Sequence, residues 1–496
     1  MRRLFLLAAA VILSCQAVSS LDPPATAIAP PTSTALPTKT HPTATHIPEA
    51  TSTPSLEPDF EVLLHPDGVL YVGDQISIEV ISRGDLDLID KQIQIQVAGI
   101  EDDQDTAEFN THGIGERLQA TFNWIWDTSK LQPGDHEIGF SIQPEGPAWT
   151  EIVRLQPQAN LRNPEQAAHW ETVTIECCEI HYISGTDFAE ELPSNLETIQ
   201  TQAEEAARSM GTGFEQRIPI TILPRVLGHG GFASSEIYVS YLENNYAGND
   251  LAQVLHHEMV HILDRSLGGE LRPSLFVEGL AVYLSEGHFK KEPLMSRAAA
   301  LVDLGWYLPL VDLADSFYTS QHEIGYLEGG ALVDFMINRF GWKAFSVFYR
   351  DIHPHPSDRQ SRAIDEALQE HFNLTLQQLD GLFTTELHSK HIIPDMQADL
   401  ILTVKYYETV RGYQLKLDTS AYFLTAWLPS GAEMRERGIV ADYLRRPQSP
   451  QNLEFVELLV EVDQQIRAGN YQQAEKALDQ ANRKLDIIQN QVLTGN

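Results

Sequence analysis

Residues 251–285 read LAQVLHHEMVHILDRSLGGELRPSLFVEGLAVYLS, and two helices are legible in them. Asn249 or Asp250 can cap the first, and Gly268 with Gly269 stops it. Pro273 can open the second and Gly287 can close it. On the first helix His257 and His261 stand four residues apart, so their Cβ atoms lie within about 6 Å on one face. That spacing suits two imidazoles sharing one metal ion. His256 has Ala252 and Val260 at the corresponding positions, so the ligand register belongs to His257. Glu258, one residue round the helix, is placed to address a metal-bound water without ligating the metal.

Zinc accepts imidazole nitrogen and carboxylate oxygen, and a catalytic site keeps three protein ligands plus a water. The second helix offers the third ligand. Glu278 is the only charged residue of SLFVEGLAVYLS, flanked at helical spacing by Leu275, Ala281 and Val282. A carboxylate on so apolar a face is costly unless it is paired or binds a metal. The short link from Gly268 to Arg272 folds the second helix back on the first and brings Glu278 towards the histidines.

HEMVH followed by FVEGLAVYL resembles the gluzincin metallopeptidases, most of all their peptidase MA-like branch. The resemblance covers about residues 168–390 and implies an α+β zincin-like domain there. It implies one Zn2+ held by His257, His261 and Glu278, with Glu258 as general base. Gly325-Tyr326-Leu327-Glu328-Gly329-Gly330 is similar to the tyrosine segment of such enzymes, which makes Tyr326 the stabiliser of the tetrahedral oxyanion. The strand from Glu236 to Leu242 would supply an edge for an extended peptide. The aminopeptidase signature that holds a free N-terminus is absent, with Gly230-Gly231-Phe232-Ala233 in its region, so an endopeptidase is expected rather than an exopeptidase. Val282 stands where a carboxylate could have oriented a ligand histidine. Asp264 could serve instead, or be a solvated residue at the helix end. His288 and His322, outside the motif, read as ordinary loop histidines.

Working outward, the chain of 496 residues is long enough for several domains. Period-two alternation marks strands from 60 to 157, as in Ile76-x-Ile78-x-Val80, Ile93-x-Ile95-x-Val97 and Ile138-x-Phe140-x-Ile142. They predict an all-β, Ig-like sandwich of half-buried strands that serves as a spacer or contact module. Ser194 with Glu197 has the spacing of a capping box for a following helix. The region 391–496 reads as helical, with one hairpin similar to a tetratricopeptide repeat that caps the preceding domain. Cys177 and Cys178 are adjacent and would close almost no loop, so they read as a packed strand detail.

The first fifteen residues, MRRLFLLAAAVILSC, have the parts of an export signal. Their end resembles the lipobox of bacterial lipoproteins, with Cys15 as the lipidated residue, and a plain secretory signal is the alternative. Residues 16–58 are rich in Pro, Thr, Ala and Ser and predict an extended tether. The formal charge of −35 excludes a simple electrostatic grip on nucleic acid. The expectation is therefore a multidomain chain, lipid-anchored to the cell envelope and facing outward, or else secreted, that hydrolyses a peptide or protein substrate. A non-catalytic envelope module that keeps its metal site is the competing expectation.

Overall fold

The structure is a computed structural model and describes residues 60–494 apart from 84, 85, 87, 89, 98–103, 113–116, 227, 229, 249, 268 and 422–429. The expected leader with Cys15 and the expected tether at 16–58, together with Asn249 and Gly268, lie outside the described residues. Sheets and many helices together make a multidomain chain. Among the described residues, no helix is long and apolar enough to cross a membrane.

Between Phe60 and Gln156 the strands form one four-stranded and one five-stranded sheet. Alternation sets the register: Ile93, Ile95 and Val97 face Ile142, Phe140 and Ile138 across an antiparallel pair. These side chains share one core with Ile76, Ile78 and Val80 of the other sheet. The strand Gln75–Ser82 departs from the half-buried expectation, because Ser77 and Glu79 are as buried as their apolar neighbours. Glu79 meets His65 at 3.0 Å and Gln119 at 2.6 Å, and Ser77 Oγ accepts the Trp124 N–H. A late part of the chain covers the region's flank, where Met434, Ile439 and Tyr443 pack with Trp124. Arg445 fixes that contact. It makes two bonds to Asp74, one to Glu165 and one to the Val69 carbonyl, with Tyr71 under its guanidinium.

The next sheet has the strand order Trp170–Thr174, Cys178–Ile183, Ile218–Leu223, Ile237–Ser240, Gly231–Ala233. Its three inner strands are parallel, and both outer strands run antiparallel to their neighbours. The expected edge strand is thus an inner one. Ile237–Ser240 is covered by the hairpin return Gly231–Ala233, which is the true edge. Cys177 and Cys178 are joined by a disulfide. The expected capping box is also absent. The helix starts at Leu192, and Ser194 lies inside its first turn, donating to the Glu191 carbonyl.

Helices supply the rest of this region. Leu192–Met210 packs on Leu251–Leu267, and Ser274–Leu284 packs on both Leu251–Leu267 and His322–Phe340. The last pair touches backbone to backbone: a Cβ on Gly279 would stand 2.5 Å from the Gly329 carbonyl oxygen. Only glycine at that crossing lets the two helices come so close. Towards the C-terminus, Pro394–Leu417, Pro450–Arg467 and Tyr471–Thr494 share a core with Val226, Tyr246, Ala247 and Phe289. The hairpin therefore lies against the loops on either side of the histidine and glutamate helices.

Candidate metal centre

The helix Leu251–Leu267 is capped by Asp250, whose Oδ1 accepts the Gln253 N–H at 3.0 Å. Its four-residue spacing brings the rings of His257 and His261 to 4.7 Å, edge to face. His256 points elsewhere, with its Nδ1 3.0 Å from Gln202. Glu278 reaches the pair from the second helix: its Oε2 lies 3.4 Å from His257 Nε2 and 3.2 Å from His261 Nε2. Neither nitrogen is aligned to hydrogen-bond to Oε2, which is buried without such a partner. The three ligand atoms lie within 4.8 Å of one another.

That arrangement fits a zinc ion. Two atoms bound to one tetrahedral metal at about 2.0–2.1 Å stand about 3.3–3.4 Å apart, close to both distances observed here. The donors are of the types zinc takes, and they converge on one point.

The electrostatics of the three groups are coupled. Burial works to raise the Glu278 carboxyl, but the neighbouring His261 and His257 outweigh it and hold it well below the usual range. Burial lowers His257 to about 4. Burial also pulls on His261, but the charges of Glu278 and Glu258 more than offset it, and the ring is pushed up to about 9. Without metal, one proton therefore resides on His261 beside an ionised Glu278, and a metal ion would displace it.

Glu258 is buried, and its carboxyl is raised to about 7, chiefly by desolvation, with the charge of His261 pulling the other way. The backbone N–H of Ala233 on the sheet edge pulls the carboxyl down a little, as does the charge of Arg265. Arg265, two turns along, donates to the carbonyls of Ala233 and Ser234. Arg265 thus ties the helix to the edge strand. A carboxyl titrating near neutrality in this position can both take and return a proton.

Asp264 is not solvated. It is fully buried, accepts Arg272 Nε at 2.9 Å and Tyr349 Oη–H at 3.0 Å, and pins the link between the two helices. No hydrogen bond from His261 reaches it, as His261 Nδ1 is buried without a partner. His288 and His322 are not ordinary loop residues either. His288 Nδ1 meets the fully buried Glu323 at 2.6 Å. Both imidazoles lie against Tyr326, with ring centroids at 4.4 and 4.3 Å. Tyr326 is itself buried, and its ring lies 6.2 Å from that of His257.

One contact has no counterpart in the sequence reading. The hydroxyl of Tyr318 donates to Glu278 Oε1 at 2.7 Å. Tyr318, His288 and Glu323 come from loops and helix starts with no spacing that relates them to HEMVH.

No family model matches the sequence, and no curated protein matches it. Solved structures do align with the chain. A variant of the M1 zinc metallopeptidase from Deinococcus radiodurans is 11% identical, with a TM-score of 0.30, over 68% of this chain and 94% of that one. Another structure of a variant of that enzyme, bound to a Tyr-Ser-Ala substrate, gives 11% identity and a TM-score of 0.29 over 68% and 94%. An aminopeptidase N family protein from Idiomarina loihiensis is 10% identical, with a TM-score of 0.24, over 66% of this chain and 70% of that one. TM-scores of this size leave the functional reading to rest on the site's own geometry.

Proposed function

We propose that the chain is a zinc-dependent peptidase of the gluzincin type, similar to the peptidase MA-like branch, and an endopeptidase. The observation that carries this reading is the convergence of His257 Nε2, His261 Nε2 and Glu278 Oε2 at 3.2–3.4 Å, with Glu258 on the adjoining helix position. His257, His261 and Glu278 would hold one zinc ion. Zinc bound there would supply Lewis acidity, lowering the pKa of water in its coordination shell and drawing charge from a carbonyl oxygen. Glu258 takes the proton of the attacking water and passes it to the leaving nitrogen. Tyr326, beside His257, donates a hydrogen bond to the developing oxyanion. The edge strand Gly231–Ala233 is where an extended substrate would pair. No carboxylate stands among Gly230, Gly231, Phe232 and Ala233 to hold a free amine, which favours internal cleavage.

The test is a peptide-library digest read by mass spectrometry, with the full-length chain beside Glu258→Gln. Internal cleavage by the first and none by the second is the expected result. Cleavage that survives in the variant would remove Glu258 from the role of base. Bound zinc with no cleavage by either would favour a metal-binding envelope module.

The rest of the reading concerns placement and is supported by sequence pattern. Cys15 is lipidated after export and residues 16–58 tether an Ig-like β-region, the peptidase region and the helical C-terminal region to the outer face of a membrane. Radiolabelled palmitate incorporated by the wild-type chain and not by Cys15→Ser is the expected result. Equal labelling would remove Cys15 as the lipidated residue, and none in either would leave a secreted chain.

A further inference from the structure

We propose that Tyr318 is the positioning residue for Glu278, holding this carboxylate so that only one of its oxygens faces the metal; the inference rests on the zinc-site reading above. The Tyr318 hydroxyl donates to Oε1 at 2.7 Å, while Oε2 alone lies 3.2 and 3.4 Å from the two histidine nitrogens. The two oxygens are thereby divided, one for the hydrogen bond and one for ligation. Glu278 otherwise sits on a helix whose neighbouring residues Leu275, Phe276, Leu280, Ala281 and Val282 are all buried and apolar, and none of these side chains can donate. Val282 stands four residues after Glu278, and Asp264 Oδ2 accepts from Arg272 and Tyr349.

Tyr318 is held firmly enough for such a role. It lies in the short turn Phe317–Thr319, where Thr319 and Ser320 hydroxyls both bond to the Ser316 carbonyl. The buried Phe317 ring packs edge-on to Tyr318 at 5.4 Å and against Tyr326 at 5.2 Å. One turn thus sets both tyrosines, the first on the ligand and the second beside His257. A carboxylate with both oxygens free can close on a metal as a bidentate ligand and crowd the position a water needs. The Tyr318 hydrogen bond opposes that closure, and outer hydrogen bonds of this kind govern metal affinity.

The experiment is zinc affinity by chelator competition on the full-length apo chain, for wild type, Tyr318→Phe and Tyr326→Phe, with melting of each apo form. Tyr318→Phe should bind zinc about 10- to 100-fold more weakly, with an apo melting temperature lowered only by the loss of one buried hydrogen bond. Tyr326→Phe should keep wild-type affinity and lose turnover instead. Cobalt-substituted Tyr318→Phe should show weaker visible absorption than wild type, as expected when the coordination number rises. Wild-type affinity in Tyr318→Phe would overturn the inference while leaving the zinc site intact. A wild-type chain that takes up no zinc would overturn the zinc site, and this inference with it. If Tyr318→Phe fails to fold, 3-fluorotyrosine at position 318 strengthens the donor without changing its shape. Slower zinc release then supports the assignment, and unchanged release contradicts it.

Discussion

Two buried charged clusters in this chain are built on opposite terms. At Arg445 the guanidinium has Asp74, Glu165, the Val69 carbonyl and the Tyr71 face as partners, and the β-region, the following linker and the C-terminal segment meet around it. At Glu278 a carboxylate oxygen and two imidazoles crowd together at 3.2–3.4 Å, yet Oε2 has no hydrogen bond. Both clusters bear the cost of desolvated charge. In the first, hydrogen bonding offsets that cost within the protein, as befits a joint. In the second, the protonated His261 offsets part of it, and a metal ion would take that proton's place. A satisfied buried charge indicates architecture, and an unsatisfied convergence of donor atoms indicates chemistry.

The comparison breaks most visibly if the second cluster turns out to be inert. Glu258→Gln should lower kcat/KM by about 10²- to 10⁴-fold, the usual worth of a general base, without lowering the melting temperature of the zinc-loaded chain. Arg445→Ala should do the reverse. It strands Asp74 and Glu165, so unfolding in denaturant should become easier by about 3–5 kcal/mol, while the fraction that remains folded keeps its kcat. A loss of kcat without a loss of stability would mean that the joint belongs to the site.

Asp442 sharpens the same contrast by pH. Burial, only partly offset by His65 and by the Trp124 hydrogen bond, raises its carboxyl to about 6. A raised folded-state pKa contributes stability that is fully present below about 3.8 and is lost as pH rises through about 6, at most about 3 kcal/mol. Asp442→Asn stays neutral throughout. Its melting temperature should therefore exceed that of wild type most at pH 7.5, with the gap closing towards pH 4.5. A gap that does not change with pH would show that Asp442 is ionised throughout.

The smallest expected change is at the helix crossing. Gly279→Ala drives a methyl into the Gly329 carbonyl, where no flexible side chain can yield. The cost should be about 1–3 kcal/mol in thermal or chemical unfolding. Because Glu278 is the adjacent residue, zinc affinity should fall as well. Unchanged affinity would mean that the crossing does not set the ligand's position.

What the sequence made legible follows from how local each contact is. His257 and His261 share a helix face by spacing alone, and Glu278 follows after a link too short to lead elsewhere. Alternation likewise revealed the strands of the β-region. Tyr318 and His288 reach the site only because two helices cross at Gly279 and Gly329, a tertiary event with no period in the sequence. Asp264 stands beside the exposed Arg265 and Ser266, so it looked like a helix end, and Arg272 buries it from the following loop. The edge strand Gly231–Ala233 has three residues, too few to show a strand pattern, so alternation marks its neighbour as the edge. Ser77 and Glu79 are buried by partners distant in sequence, which alternation within one strand does not register.

The central claim is that His257, His261 and Glu278 bind one zinc ion, and metal content tests it most directly. The full-length chain and its His261→Ala variant, each equilibrated with zinc and freed of excess, would be measured by inductively coupled plasma mass spectrometry. One zinc per wild-type chain, and far less in the variant, is the predicted result. A wild-type chain without zinc, or a variant that retains as much, would contradict it.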